Sequence, residues 1–443
     1  MPETPPRDGS AASEPKRHKP KPVFLEQLVR IVGHRWSPRA HALKQFLTRS
    51  RVRYLWFDIE ADPEARRLAT AAAPDSDTWP LVLLPDGSVL LDPDVEVVAK
   101  RLGLPTQPLA PVYDLVVVGA GPAGLTASIN AASEGLHTVV VDQEVPGGQI
   151  SYSAMVENYP GFPQSLDGAH LARRMVEQAE RFGVEVVMTR RVTGLRADGL
   201  QRQVTLEDGT ELSARTVVLA LGVSFRFLET PGCLSLVGAG LYYGAATIEA
   251  STYRDEEVYV LGGGNSAGQA ALFLATIARK VHVLTTDDAI GQSMSQYLVD
   301  RIEPTPAIVV HPHSTVADAG GDGHVEWIAI RDVKTGAIER VAAFALFVFI
   351  GAAPRSEWLD GTVDRDEKGF VRTGVDDACA NPAGWPLERP PYLLETRIPG
   401  VFAVGDVRHG SVKRMTSAAG EGAMAVHLVH QYLREAFPEA SPS

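Results

Sequence analysis

The chain of 443 residues is nearly free of cysteine: Cys233 and Cys379 are the only two, and they belong to no C-x-x-C. That excludes a disulfide framework and a cysteine-built zinc centre, and no metal site is expected. It also excludes any reaction that needs two adjacent thiols of this chain. Positive charge is scarce as well. With 42 Lys and Arg against 54 Asp and Glu, the formal net charge is −12, so nothing supplies the basic face that nucleic-acid phosphates require. Long hydrophobic runs are missing too. The longest, AAFALFVFIGAA at 342–353, is too short to cross a bilayer and reads as a buried strand. The tail MPETPPRDGSAASEPKRHKPK, residues 1–21, lacks the apolar core of a signal peptide. Its Pro and Ser content predicts disorder, and without a membrane segment the protein is expected to be cytoplasmic.

What remains is 45% hydrophobic and 22% charged, an ordinary globular composition and a length sufficient for two or three domains. Residues 22–108 predict a small α/β domain. An apolar run, FLEQLVRIVG, leads into a helix from about Pro38 to Arg49, and a strand follows at 52–60. Next come a polar helix, a hairpin turned at Asp86-Gly87, and a closing helix, DPDVEVVAKRLGL. This order resembles a thioredoxin or glutaredoxin fold. In such domains a Cys-Pro-x-Cys pair opens the first helix, whose N-terminus stabilises a thiolate. Here those places hold Ser37, Pro38, Arg39 and Ala40. Trp79-Pro80 falls where that fold keeps a cis-proline. The domain is therefore expected to be a scaffold without redox chemistry. A Pro-rich linker, PTQPLAPVYD, follows at 105–114.

The stretch DLVVVGAGPAGLTASINAASEGLHTVVVDQE at 114–144 predicts a βαβ unit. Gly119 permits a tight turn, Gly121 lets backbone approach a pyrophosphate, and Gly124 lets helix and strand pack closely. Pro122 and Ala123 open a helix whose N-terminus favours phosphate charge, and Asp142 can accept hydrogen bonds from a ribose. Residues 256–288, EEVYVLGGGNSAGQAALFLATIARKVHVLTTDD, repeat the design. Gly262, Gly264 and Ala267 take the three special positions, with Asn265 and Ser266 at the helix start. Two such units suggest a flavoprotein that binds FAD first and a nicotinamide second.

Four further motifs, GGQI at 147–150, ENYPGF at 157–162, GVFAVGDV at 400–407 and SAAGEGAMAVHLV at 417–429, carry a family resemblance. From about 113 to 433 the chain resembles thioredoxin reductase and its relatives, in particular a cysteine-poor branch with a glutaredoxin-like N-terminal domain. The resemblance implies an α/β fold with two Rossmann-like dinucleotide-binding domains preceded by the thioredoxin-like domain of 22–108. The FAD-binding domain would be discontinuous, 109–227 and 341–443, enclosing an NAD(P)-binding-like domain at 228–340. It implies that Gly148, Gln149 and Asn158 line the flavin and that Gly405 and Asp406 serve the ribityl chain. A helix beginning near Met415 and Thr416 would aim its positive end at the flavin pyrimidine edge. It also implies a homodimer.

The chain departs from this family in two places. The family's C-A-T-C-D is replaced by Ala245, Ala246, Thr247, Ile248 and Glu249, so both thiols are gone. Glu249 is a candidate proton donor or an exposed helix-terminal carboxylate. The arginines that pair with a nicotinamide 2′-phosphate are missing from VHVLTTDDAIGQSMSQYLVD at 281–300. Asp287 and Asp288 would repel that phosphate, so NADPH is disfavoured. Asp287 is a candidate for the ribose of NADH; a solvated loop and an empty nucleotide fold are the alternatives. Trp385 and Tyr392, in the added segment 379–400, would cover the flavin or form a subunit contact. Tyr242, Tyr243 and Tyr297 are substrate contacts or core. The expected function is an FAD-dependent oxidoreductase working without a dithiol, its electrons ending on a small-molecule or protein acceptor. A non-catalytic flavin-bound sensor or docking protein, with a vestigial nicotinamide site, is the alternative.

Overall fold

The structure is a computed structural model that describes residues 28–438 apart from 75, 154, 231, 245–249 and 375–384. The tail of 1–21, Glu249 and Cys379 lie outside the described residues.

The N-terminal domain runs β1 (Val29–Gly33), α1 (Pro38–Arg49), β2 (Tyr54–Asp58), α2 (Pro63–Ala72), β3 (Leu81–Leu83), β4 (Val89–Leu91) and α3 (Val95–Arg101). Its strands order β2-β1-β3-β4, with β1 and β2 parallel and the others antiparallel. Local sequence places both longer helices. Ser37 caps α1 by accepting from Ala40 N, Asp62 caps α2 by accepting from Glu64 N, and a proline follows each cap. The peptide bond between Trp79 and Pro80 is cis.

The next domain comprises β5 (Val112–Val118), α4 (Pro122–Ser133), β6 (Thr138–Val141), α5 (Gly168–Arg181), β7 (Glu185–Val187), β8 (Val192–Asp198), β9 (Gln201–Leu206) and β10 (Glu211–Leu219). Val116 to Val118 and Val139 to Val141 are buried, as parallel strands covered on both faces must be. A two-stranded crossing made by β11 (Val223–Phe225) then leads out of this domain.

The second nucleotide-type domain contains β12 (Leu241–Tyr243), β13 (Glu257–Leu261), α6 (Asn265–Leu274), β14 (Lys280–Leu284), α7 (Gln296–Ile302) and β15 (Ile308–His311). An antiparallel sheet of β16 (Ser314–Gly320), β17 (Trp327–Asp332) and β18 (Ile338–Ala342) follows, and then β19 (Ala345–Val348). The parallel order is β12-β19-β13-β14-β15. The apolar run at 342–353 thus supplies a central buried strand of this second domain. The chain leaves the domain through β20 (Ala352–Pro354), antiparallel to β11, so the return lies later than the expected 341. It ends with β21 (Val401–Ala403), which pairs with β10, and the long α8 (Met415–Ala436). Helix α8 lies on α4 so closely that a Cβ at Gly422 would stand 2.2 Å from Ala123 O.

Residues 385–400, the described part of the added segment, pack against the far end of α8. Arg389 binds the fully buried Glu395 at 2.7 Å and Glu435 at 2.7 Å, with its guanidinium 3.7 Å from the centre of the Tyr392 ring. Neither Trp385 nor Tyr392 borders the cavity described next, so the expectation that they cover the flavin is corrected. The Arg389–Glu435 ion pair and the Tyr392 hydroxyl, which donates to Glu435, tie this segment to α8, while Arg389–Glu395 closes it on itself.

Candidate functional site

One cavity of about 400 Å³ lies where the three domains meet. Its floor is the turn between β5 and α4. Gly119 has φ +103°, and a Cβ there would be 2.3 Å from Ala220 O. Gly124 is equally tight against Gly119 O, whereas Gly121 faces open space, its nearest neighbour being Gly148 Cα at 3.9 Å. Gly121 is the N-cap of α4 and no side chain caps the helix, so the free N–H groups of its first turn suit an anion. Asp142 ends β6 beside this turn. Its carboxylate accepts from Ala120 N at 2.7 Å and Glu144 N at 2.8 Å, and burial pushes its pKa up.

The walls come from more distant residues. Gly148, Gln149 and Asn158 border the cavity, and the Gln149 amide donates to Val223 O. Asp406 borders it after the β21 turn, where burial raises its pKa. Gly405, φ +71°, forms that turn, and its N–H is held by Glu421 Oε2 at 2.7 Å. Glu421 also binds Arg408 at 2.6 Å. Met415 lines the site at the uncapped start of α8. Thr416 does not: its side chain is exposed one residue into the helix, a correction to its expected contact.

The start of α6, which follows the second glycine turn, opens onto the same cavity. Gly262 has φ +140°, and a Cβ there would lie 2.5 Å from Phe349 O; Gly264 caps α6 with nothing within 4 Å of its Cβ position. Asn265 and Ser266 line the cavity, while Ala267 is buried beneath the turn. Asp287, after β14, accepts from Ser293 Oγ at 2.8 Å, and its Oδ2 lies 2.9 Å from a Cβ position on Gly263. The stretch after β14 is not without cations in space. Lys334, from the β17–β18 turn, binds Asp288 at 2.9 Å, and His313 stands 3.5 Å away.

Of the three tyrosines, Tyr242 is core, stacked 5.5 Å from Phe347. Tyr297, on α7, packs with the apolar cluster between α6 and α7, and only Tyr243 borders the cavity. Cys233 is fully buried in the second domain, its Sγ 3.1 Å from Thr230 Oγ1, and burial pushes the thiol pKa up. Such a thiol is a poor nucleophile.

Several wall residues carry no motif. Gln45 and Arg49 come from the N-terminal domain, and Glu144 and Arg355 form an ion pair of 2.9 Å. Glu144, an acid two places beyond Asp142, was the one available signal; nothing local marks Arg49 or Arg355.

The model for pyridine nucleotide-disulphide oxidoreductases matches residues 113–422. The chain belongs to the pyridine nucleotide-disulphide oxidoreductase family. A thioredoxin reductase of Peptoclostridium acidaminophilum is 33% identical over 334 residues, 74% of this chain and 99% of its own. Another, of Mycolicibacterium smegmatis, is 33% identical over 324 residues, 73% and 97% respectively. Among solved structures, a Lactococcus lactis thioredoxin reductase in its FR conformation aligns with a TM-score of 0.65 at 30% identity, over 73% of this chain and 99% of that one. The chain is an FAD-dependent oxidoreductase of the thioredoxin reductase type. The residues present fit FAD: two uncapped helix starts, a glycine face open to close approach, an acid beside it, and the Arg49 guanidinium on the wall. As a family member, the chain has all of α1, α2 and α3 outside the matched span.

Proposed function

We propose that this oxidoreductase works without a dithiol of its own, passing electrons between FAD and a nicotinamide or organic substrate. The observation that carries the reading is the shared cavity: the first glycine turn and, from a different domain, the start of α6 that follows the second glycine turn both line it. FAD, when bound, supplies the two-electron chemistry. The first motif with Asp142 holds its ribose and pyrophosphate, Gly148, Gln149 and Asn158 border the ring, and Asp406 takes the ribityl chain. Asn265 and Ser266 receive the nicotinamide nucleotide at the start of α6. The thiol positions hold Ala245 and Ile248, and the buried Cys233 is no substitute. Electrons therefore pass directly to a small-molecule or protein acceptor, with Glu249 a candidate proton donor beside it. The N-terminal domain is thioredoxin-like in order and carries no redox function. By family likeness the protein works as a cytoplasmic homodimer; no helix among the described residues is long and apolar enough to cross a membrane.

NADH is the favoured reductant. Asp287 occupies the place after the second strand where an acid binds a ribose diol, and the Lys334 ammonium is already taken by Asp288. Anaerobic titration of the FAD-loaded protein tests both points. NADH is expected to bleach the flavin absorbance at lower concentration than NADPH. Equal bleaching by both would remove the Asp287 argument. Bleaching by neither would leave the second nucleotide fold vestigial and favour the non-catalytic, flavin-bound alternative.

A further inference from the structure

The last turns of α1 put two side chains of the N-terminal domain, Gln45 and Arg49, into the wall of the flavin cavity. Arg49 is 9% exposed, and most of its donors are accounted for. Nη1 donates to Glu144 Oε2 at 3.0 Å and to Tyr152 Oη at 2.6 Å, and Nη2 donates to Val145 O at 2.7 Å. The guanidinium carbon stands 4.8 Å from the centre of the Tyr152 ring. These contacts fix the plane of the group, since a guanidinium is a rigid fork. Nη2, however, has a second N–H for which the protein offers no acceptor; Nε–H is unpartnered too, but it is closed off from the cavity.

Two things are incomplete about this arrangement. A buried donor left unpaired is costly, and more so on a charged group. Glu144 is shared between Arg49 and Arg355, at 3.0 and 2.9 Å, so neither guanidinium has a carboxylate to itself. Asp142, the other acid nearby, is held by the backbone N–H groups of Ala120 and Glu144. An acceptor oxygen from a phosphate-bearing ligand in the cavity would satisfy both.

We propose that Arg49 is a cofactor-binding residue and that the N-terminal domain completes the FAD site, the free N–H of Nη2 serving an acceptor oxygen of FAD. This rests on the FAD reading above. It also gives the domain a use that needs no thiols: α1 retains its place in the fold and works from its C-terminal end instead of its N-terminal end.

The test uses the full-length protein stripped of FAD and the variants Arg49→Met and Arg49→Lys. FAD affinity is read from quenching of FAD fluorescence, and melting temperature is read with and without FAD. Arg49→Met is expected to raise the Kd for FAD about tenfold or more, the loss of one charged hydrogen bond. The rise in melting temperature that FAD confers should shrink to match. Arg49→Lys keeps the charge and removes the guanidinium fork with its Nη2; it should fold like wild type and still bind FAD several-fold more weakly. If Arg49→Met melts lower without FAD yet gains as much from FAD as wild type, Arg49 is only an interdomain tie and the proposal is overturned. Wild-type binding by Arg49→Lys overturns it also, and decides the matter if Arg49→Met does not fold. A wild-type protein that takes up no FAD would overturn both this proposal and the function it rests on.

Discussion

Gly119 and Gly121 sit in the same turn, yet the two glycines are required for different reasons. Gly119 has a positive φ and no room for a side chain, its Cβ position being 2.3 Å from Ala220 O. Gly121 has an ordinary φ of −76° and open space beyond it. Gly119→Ala should therefore destabilise the protein without any ligand, by roughly 1–3 kcal/mol or more for strain of this kind. Gly121→Ala should leave the FAD-free melting temperature unchanged and weaken FAD binding, because its methyl enters the space the cofactor needs. Thermal melts of both FAD-free variants, beside an FAD titration of Gly121→Ala, separate the two. Unchanged FAD affinity in Gly121→Ala would mean that no cofactor lies against that face of the turn.

Elements were legible in the sequence wherever a local rule decides them. Helix α1 runs from Pro38 to Arg49, as the Ser-Pro start and amphipathic pattern predict, because Ser37 makes the cap bond that its type suggests. The hairpin at Asp86-Gly87 and both glycine turns follow from backbone chemistry in the same way. What the sequence did not carry is distance between domains. Arg49 reads as a basic residue in a last helical turn; only the packing of α1 against the neighbouring domain makes it part of a cavity. Met415 and Thr416 are both expected at the helix start, and the one position between them turns the second side chain by about 100°, to solvent. The run at 342–353 was recognised as a buried strand, but periodicity does not say which of two adjacent parallel sheets receives it.

The same sheet carries a pH response. His282 on β14 and His311 on β15 share a hydrogen bond of 2.9 Å between Nδ1 and Nε2, with His282 stacked 4.6 Å from Tyr259. Burial lowers the pKa of both rings. Lys280 acts in the same direction on both; Glu257 opposes it at His282 and Glu339 at His311. With folded-state pKa values below the unfolded ones, the unfolded chain binds more protons. Stability is then full above about pH 6.5 and is lost as pH falls through the folded values. The melting temperature should drop between pH 7 and pH 5, and His311→Gln should flatten that drop. An equal drop in the variant would assign the acid sensitivity to other groups.

At the scale of the whole molecule, α1 is a strut. Its 12 residues span about 18 Å, and its two ends are fixed to different domains. At the C-terminal end Arg49 is bound to Glu144, Val145 and Tyr152. At the N-terminal end Pro38 lies against Gly238, leaving 3.0 Å to a Cβ position, and His41 meets Tyr242 with ring centres 5.2 Å apart. Just before the helix, Trp36 stacks on His324 at 4.8 Å and meets Phe344 at 5.6 Å. The direct connections between the two larger domains include a β11–β20 ribbon, the approach of Gly244 to Tyr152 and the exposed Arg301–Glu157 pair at 2.8 Å; such pairs contribute at most about 1 kcal/mol. Any rotation of the second nucleotide-type domain about that ribbon must break one end of α1. The N-terminal end should yield first, because uncharged ring contacts hold it, those of Trp36 only half-buried, while the other end is buried and ionic. Spin labels on the exposed positions Gln178 and Glu303, with Cys379 replaced by serine, would report the separation of the two domains. Wild type should give one narrow distance distribution and Trp36→Ala a broader or a second one. If Trp36→Ala left the distribution narrow and unmoved, the direct contacts between the two domains would suffice to hold them, and α1 would bear no load between them.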